Sequence, residues 1–219
     1  MKDLLGCFIT VEGLEGAGKT TCLETIAEAL AEAAVPEPLF TREPGGTPFG
    51  EALRGVLLDP AHTGLCPEAE ALTVFAARAQ HLHEVIRPAL AAGRWVVSDR
   101  FTDASFAYQG GGRGLGAERV AALEAWVHPG FAPDCTLLLD VDPKLGRERA
   151  AGRGEGIDRF EQEQLTFFQA ARAAYHRRAE AEPGRFRIVD ANRPEGEVRE
   201  AVRAAITRLA EEHNRSERY

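Results

Sequence analysis

Residues 13–20 read Gly13-Leu14-Glu15-Gly16-Ala17-Gly18-Lys19-Thr20 and fill every fixed position of the pattern G-x-x-x-x-G-K-[ST]. Glycines let a short loop wrap so that its backbone N–H groups point inward. A helix opening at the end of that loop adds the positive end of its dipole. A lysine at the sixth step supplies a point charge for β- and γ-phosphates, and the next hydroxyl can ligate Mg²⁺. Gly13 to Thr20, with Thr21 beside them, are therefore the expected binding residues for a nucleoside triphosphate. Two acids at strand ends, in Val96-Val97-Ser98-Asp99 and Leu137-Leu138-Leu139-Asp140, could organise the water around such a metal. Asp99 is followed at once by Arg100, so Asp99 is read with Thr20 as the metal site and Asp140 as a structural acid.

A loop of this kind works only between a strand and a helix, and the flanking residues supply both. Cys7–Glu12 is a short apolar run rich in β-branched residues, and Lys19–Ala33 carries Leu23, Ile26, Ala27 and Leu30 at helical spacing. The same alternation continues along the chain. Strands are expected at 38–42, 95–98, 136–141 and 186–190. Helices are expected at 48–58, 68–92, 117–127, from about 143, at 158–182 and at 195–212. Leu72, Phe75, Ala76, Ala79, Leu82, Ile86 and Leu90 mark the apolar face of the long helix. Five apolar strands separated by helices imply an α/β fold of the P-loop NTPase type, a doubly wound five-stranded parallel sheet flanked by helices. Residues 1–213 form one domain in this reading, a glycine-rich lid occupies about 150–160, and 214–219 are a polar C-terminal tail.

Composition narrows the partners. Apolar residues make up 44% and charged residues 27% of the 219, so general disorder is excluded. The formal net charge of −8 argues against a nucleic-acid or membrane-surface binder, since both need a basic footprint. Cys7, Cys22, Cys66 and Cys135 are too widely spaced for a zinc site and read as free thiols, buried or half-buried, in a reducing cytoplasmic compartment. No stretch reads as a signal peptide or a transmembrane helix.

Three uses of a triphosphate site compete. A guanine-reading switch would carry N-K-x-D after a later strand, and none is present. A motor on nucleic acid would need a basic track. A small-molecule kinase needs a second anion-binding pocket, and the chain is rich in arginine.

The ordered segments FITVEGLEGAGKTT (8–21), TREPGGT (41–47), FAAR (75–78), SDRF (98–101), AYQGGGRG (107–114), LLLDVDP (137–143) and RERAAGRGEGIDRFE (147–161) carry a resemblance to the bacterial thymidylate kinases. The resemblance covers nearly the whole chain. It implies transfer of the γ-phosphoryl of ATP to thymidine monophosphate (dTMP), with Mg²⁺, by a cytoplasmic homodimer that binds neither nucleic acid nor membrane. Phe75 would stack on thymine, and Arg78 would bond its carbonyl edge. Ser105, Tyr108 and Gln109 would line the nucleoside, with the Tyr108 ring excluding a 2′-hydroxyl. Arg42 and Arg100 would hold the acceptor phosphate, and Glu15 would face the sugar. The Glu43–Pro44 bond would be cis.

Some relatives carry a basic catalytic residue just after the loop acid; here that position is Gly16. The positive charge would then come from the lid, with Arg149, Arg153 and Arg159 as candidates. The acceptor is a phosphate monoester whose second pKa is about 6, so the transfer needs no general base. Lys19, Arg100 and a lid arginine would act by charge and alignment. A kinase for dUMP or CMP, or a P-loop switch module, is the alternative.

Overall fold

The computed structural model of the protein describes residues 6–62, 64–152, 159–160 and 162–216. Its centre is a parallel sheet of β1 (Phe8–Gly13), β2 (Leu39–Arg42), β3 (Val96–Asp99), β4 (Cys135–Asp140) and β5 (Phe186–Asp190), in the order β2-β3-β1-β4-β5. Alternation along β1 sends Ile9 and Val11 into the larger core cluster and Phe8 into a second one with Ile86, Leu90 and Phe101. Thr10 and Glu12 share the Phe8 side, and Thr10 Oγ1 bonds Thr136 Oγ1 at 2.9 Å across the sheet.

The register lines up the carboxyl ends of the strands: Val11 pairs with Asp99, Arg42 with Asp99 and Gly13 with Leu139. β1 lies between β3 and β4, where the strand order reverses, and ligand crevices form at such points.

Helices α1 (Lys19–Glu32) and α2 (Pro48–Leu58) follow β1 and β2. Thr47 caps α2 by accepting from the Gly50 N–H at 2.9 Å. The long helix expected at 68–92 is α3 (Pro67–His81), a π-helical stretch over Leu82–Ile86, and α4 (Arg87–Ala91). Pro88 has no N–H to donate and its ring crowds the carbonyl four residues back, so the turn before it widens. The face of α3 also differs from expectation. Leu72 is 53% exposed and Val74 is buried, because α2 and α6 grip the helix from two sides.

The stretch after β3, to which the sequence reading assigns no element, is helical: α5 (Thr102–Ser105) and a π-helical segment over Phe106–Gly112. Its glycines allow close approach to a neighbouring helix; a Cβ on Gly111 would lie 2.8 Å from the Ala170 carbonyl. The remaining helices are α6 (Ala117–Val127), α7 (Pro143–Ala151), α8 (Leu165–Ala181) and α9 (Glu195–Ser216). α8 begins seven residues later than expected. α9 runs through 214–216, residues expected in the tail, where the Arg215 guanidinium bonds the Glu211 carbonyl. Most of the expected lid, including Arg153, Asp158 and Glu161, lies outside the described residues. Cys7, Cys22 and Cys135 are buried free thiols, whereas Cys66 is exposed.

Candidate active site

Two cavities lie at the carboxyl edge of the sheet, lined by neighbouring residues of the same two turns. The first is built by the loop between β1 and α1. Gly18, at φ 90°, opens α1 with no side-chain cap, which leaves the first N–H groups of the helix to a ligand. Gly16 to Thr21, Asp99 and Arg149 line this cavity. Lys19 folds back on its own loop and donates to the carbonyls of Leu14 at 3.1 Å and Gly13 at 3.4 Å. Burial, and then the charge of Arg100, push its ammonium down to about 8, against the pull of Asp99 and Glu15.

Asp99 Oδ1 is buried on the same wall with no hydrogen-bond partner among the described residues. An orphaned carboxylate oxygen sharing a cavity with the Thr20 hydroxyl is what an octahedral, partly hydrated Mg²⁺ requires, so these residues fit the metal. No group of three or more His, Cys, Asp or Glu side chains placed to hold a metal occurs among the described residues, so most ligands would be phosphate oxygens and water.

The second cavity lies beside the first, and Glu15 and Arg100 stand on its wall. Arg100 adopts φ 70°, the left-handed region that side chains rarely enter. Its turn is fastened by bonds from Arg100 N to Val11 O (3.0 Å), Ser98 Oγ to Arg100 O (2.7 Å) and Phe101 N to Glu12 Oε1 (2.8 Å). The guanidinium reaches the Gly13 carbonyl at 3.1 Å and Glu15 Oε1 at 2.8 Å, and lies 4.8 Å from the centroid of the Tyr108 ring. Tyr108 donates its phenolic proton to Glu15 Oε2 at 2.8 Å. Burial pushes the Glu15 carboxyl up, but Arg100, Lys19 and Tyr108 together hold it below the usual range.

Arg78 forms the floor of this cavity, buried to 1% exposure, with Ser105 and Gln109 on the wall around it. Its Nη2 donates to the Phe101 carbonyl and to Ser105 Oγ, both at 3.0 Å. The Glu43–Pro44 bond beside it is cis.

Two expected residues are not on this wall. Phe75 is buried among Ala71, Phe106, Leu115 and Val120, its centroid 4.6 Å from the Arg78 guanidinium carbon. Val74 occupies the wall instead, because Glu70, Val74 and Arg78 recur every four residues on one stripe of α3, while Phe75 falls on the stripe facing α6. Arg42, about half exposed, pairs with Glu51 at 2.9 Å, and Arg54 lines the cavity in its place. Burial, and then the nearby charge of Arg42, lower the Arg54 guanidinium below its ordinary value.

Sequence reasoning missed Arg54, Val74 and Glu12. Glu12 is buried and accepts from Phe101 N and from the Tyr175 hydroxyl at 2.7 Å. Burial and the neighbouring Asp103 push its carboxyl up. An acid closing an otherwise apolar buried strand was the available signal.

The lid arginines separate clearly. Arg149 stands on the first cavity and donates to the Ala191 carbonyl at 2.7 Å. Arg159 is buried and tied to Glu70 at 2.6 Å and to the Leu57 carbonyl at 2.8 Å. A Cβ on Gly16 would lie 2.0 Å from the Gly146 carbonyl, so no cation can come from that position without moving α7. Asp140, read as structural, pairs with Arg172 at 2.7 Å and His176 at 3.1 Å.

A loop suited to phosphates, beside a second cavity with its own arginines, is the layout of a kinase acting on an anionic acceptor. The thymidylate kinase family model matches residues 11–202. The thymidylate kinase of Halorhodospira halophila is 74% identical over 204 residues, covering 93% of this chain and 95% of that protein. Those of Alkalilimnicola ehrlichii and Pseudomonas syringae are 53% and 52% identical, over 93% and 95% of this chain and 95% and 98% of their own. The chain belongs to the thymidylate kinase family.

Proposed function

We propose that the protein transfers the γ-phosphoryl group of ATP to dTMP, giving dTDP for dTTP synthesis. The observation that carries this reading is that Glu15 and Arg100 line the second cavity while their chain neighbours Gly16 and Asp99 line the first, inside a chain of this family. The first cavity takes ATP. Lys19 leaves the carbonyls of its own loop for the β- and γ-phosphates, and the N–H groups at the start of α1 complete the cradle. Thr20 and Asp99 would hold Mg²⁺, which supplies charge neutralisation across the phosphates.

The second cavity takes dTMP. Arg100 and Arg54 meet the acceptor phosphate, in an arrangement that suits the planar fork of a guanidinium. Arg78 presents N–H donors to a thymine carbonyl, Val74 covers the base, and Tyr108 with Glu15 borders the sugar. An acceptor with an exocyclic amine in that place, such as CMP, would set donor against donor. The acceptor phosphate is already an anion, so the residues align and neutralise and none removes a proton. Arg149, near the end of α7, brings a positive charge to the donor cavity.

A second copy of the chain is the expected partner. Phe49 (52% exposed), Val56 (43%), Leu72 (53%) and Trp126 (78%) leave apolar surface on α2, α3 and α6, helices that pack side by side. None of the described helices is long and apolar enough to cross a membrane, and a cytoplasmic location suits both the free thiols and the nucleotide substrates.

A co-structure with dTMP and ADP tests the assignment. The reading expects the thymine carbonyl edge at Arg78 and the phosphate between Arg54 and Arg100. A base lodged elsewhere would overturn it.

A further inference from the structure

From Arg78 a line of polar side chains runs into the protein, beginning at Glu43, which also borders the second cavity. Glu43 Oε2 accepts from Arg78 Nε at 2.6 Å. Glu43 Oε1 lies 3.0 Å from His81 Nδ1, and His81 Nε2 lies 2.7 Å from Thr41 Oγ1. Arg78, Glu43 and His81 are 1%, 3% and 0% exposed, and Thr41 is half-buried on β2. Burial pushes the Glu43 carboxyl up, but Arg78 and then His81 hold it below the usual range, so it is an acceptor only.

His81 Nδ1 faces a carboxylate, which can only accept, so that nitrogen donates to Glu43, while Nε2 and the Thr41 hydroxyl share a second hydrogen bond on the far edge of the ring. Gly46 lies against the same edge of that ring as Thr41; a Cβ there would stand 2.4 Å from Nε2 and 2.7 Å from Thr41 Oγ1. The ring is thus confined by a hydroxyl, a carboxylate and a glycine.

Counting the Arg78 donors shows what this achieves. The Nε hydrogen goes to Glu43, and the Nη2 group serves the Phe101 carbonyl and Ser105 Oγ. One Nη1 hydrogen faces Thr102 Oγ1 at a long 3.4 Å. The guanidinium is pinned along two edges, and Nη1 keeps donor capacity toward the cavity. A loosely held arginine could swing aside and let a base amine find another partner. A pinned one cannot, and a donor forced against a donor is costly in a buried site.

We propose that Glu43, His81 and Thr41 are positioning residues that set acceptor-base selectivity, by locking Arg78 into an orientation that accepts a base oxygen and rejects an amino group. The proposal rests on the assignment of Arg78 to the base edge.

The test compares dTMP with dCMP in the full-length protein, as the ratio of their kcat/KM values, or of their Kd values where dCMP turns over too slowly. KM for ATP and Tm are measured alongside. Glu43→Gln keeps the shape but cannot accept from both Arg78 and His81, and it is expected to lower the ratio about tenfold or more with KM for ATP unchanged. Thr41→Val removes only the hydroxyl and is expected to lower the ratio about threefold, while Thr41→Ser restores it. An equal loss on both acceptors, with the ratio intact, would mean the line serves stability alone and would overturn the proposal. If Glu43→Gln does not fold, the Thr41→Val ratio decides in the same way. Arg78→Met separates the two claims. An unchanged ratio there refutes the base-edge assignment itself. A collapsed ratio in Arg78→Met beside an intact one in Glu43→Gln refutes only the positioning line.

Discussion

Arg100 and Glu15 form an ion pair of 2.8 Å on the wall of the second cavity, each one residue away from a group that lines the first, Asp99 and Gly16. The acid belongs to the donor loop and the base to the turn after β3, so this pair ties donor and acceptor sides to one another. Its geometry is held by Glu12, whose carboxyl oxygen accepts from the Phe101 N–H next to Arg100. An acceptor phosphate would compete with Glu15 for Arg100, which places the guanidinium at the point where charge repulsion between the substrates is greatest.

Lys19 and Arg100 each face that repulsion with a single positive charge. Lys19→Ala or Arg100→Ala is expected to lower kcat/KM by about 10³ or more, the scale of a catalytic cation in phosphoryl transfer. Steady-state kinetics showing less than a tenfold loss in either variant would remove its assigned role.

Val74 and Phe75 are adjacent in sequence and separate in function. Phe75→Ala is expected to cost about 3–5 kcal/mol of stability, because it empties a buried aromatic site. Val74→Ala is expected to cost less stability and to raise KM for dTMP while KM for ATP holds. Denaturant titration paired with kinetics reads both effects. A large KM change for ATP in Val74→Ala would contradict the placement of that side chain.

The ammonium of Lys19 is held down to about 8 before ATP binds, first by burial and then by Arg100. Bound polyphosphate favours the charged form and raises that value, so ATP binding above pH 8 must draw a proton from solution. KM for ATP is therefore expected to be flat below about pH 8 and to climb as pH rises beyond it, approaching tenfold per pH unit. Calorimetry in two buffers of different ionisation enthalpy would show the uptake directly. A constant KM with no buffer dependence up to pH 9.5 would refute this.

The apolar residues left exposed on α2, α3 and α6 should bring two chains together. Sedimentation at micromolar concentration is expected to show a dimer, and Leu72→Glu, at a position 53% exposed, is expected to give monomers. A monomeric parent protein would reject the pairing.

The sequence discloses the parts of this site that are built locally. Gly13 to Thr20 need only a strand before and a helix after, and both flanks are plain in the apolar spacing. The helical phase along α3 is harder. Leu72 and Phe75 look like one apolar face, but α2 and α6 pack on α3 from two directions and turn Leu72 outward and Val74 inward. Arg54 and Arg42 could not be ranked from spacing. Only the folded chain shows that Glu51 engages Arg42 and leaves Arg54 on the cavity wall. Glu12, Glu43 and His81 owe their surroundings to partners 163, 35 and 40 residues away, which no local pattern encodes. The segment at 106–112 looks like a glycine-rich loop, yet close packing against α8 makes it helical.

The central claim is that one preformed arrangement of amides and cations joins two anionic nucleotides and moves a phosphoryl group between them. Release of ADP from ATP and Mg²⁺, followed by coupled assay with dTMP, dUMP, dCMP or no acceptor, tests it most directly. The account predicts rapid ADP formation with dTMP, stoichiometric with dTDP, and little with dCMP or without acceptor. ADP formation that ignores dTMP, or none at all from folded protein, would contradict it.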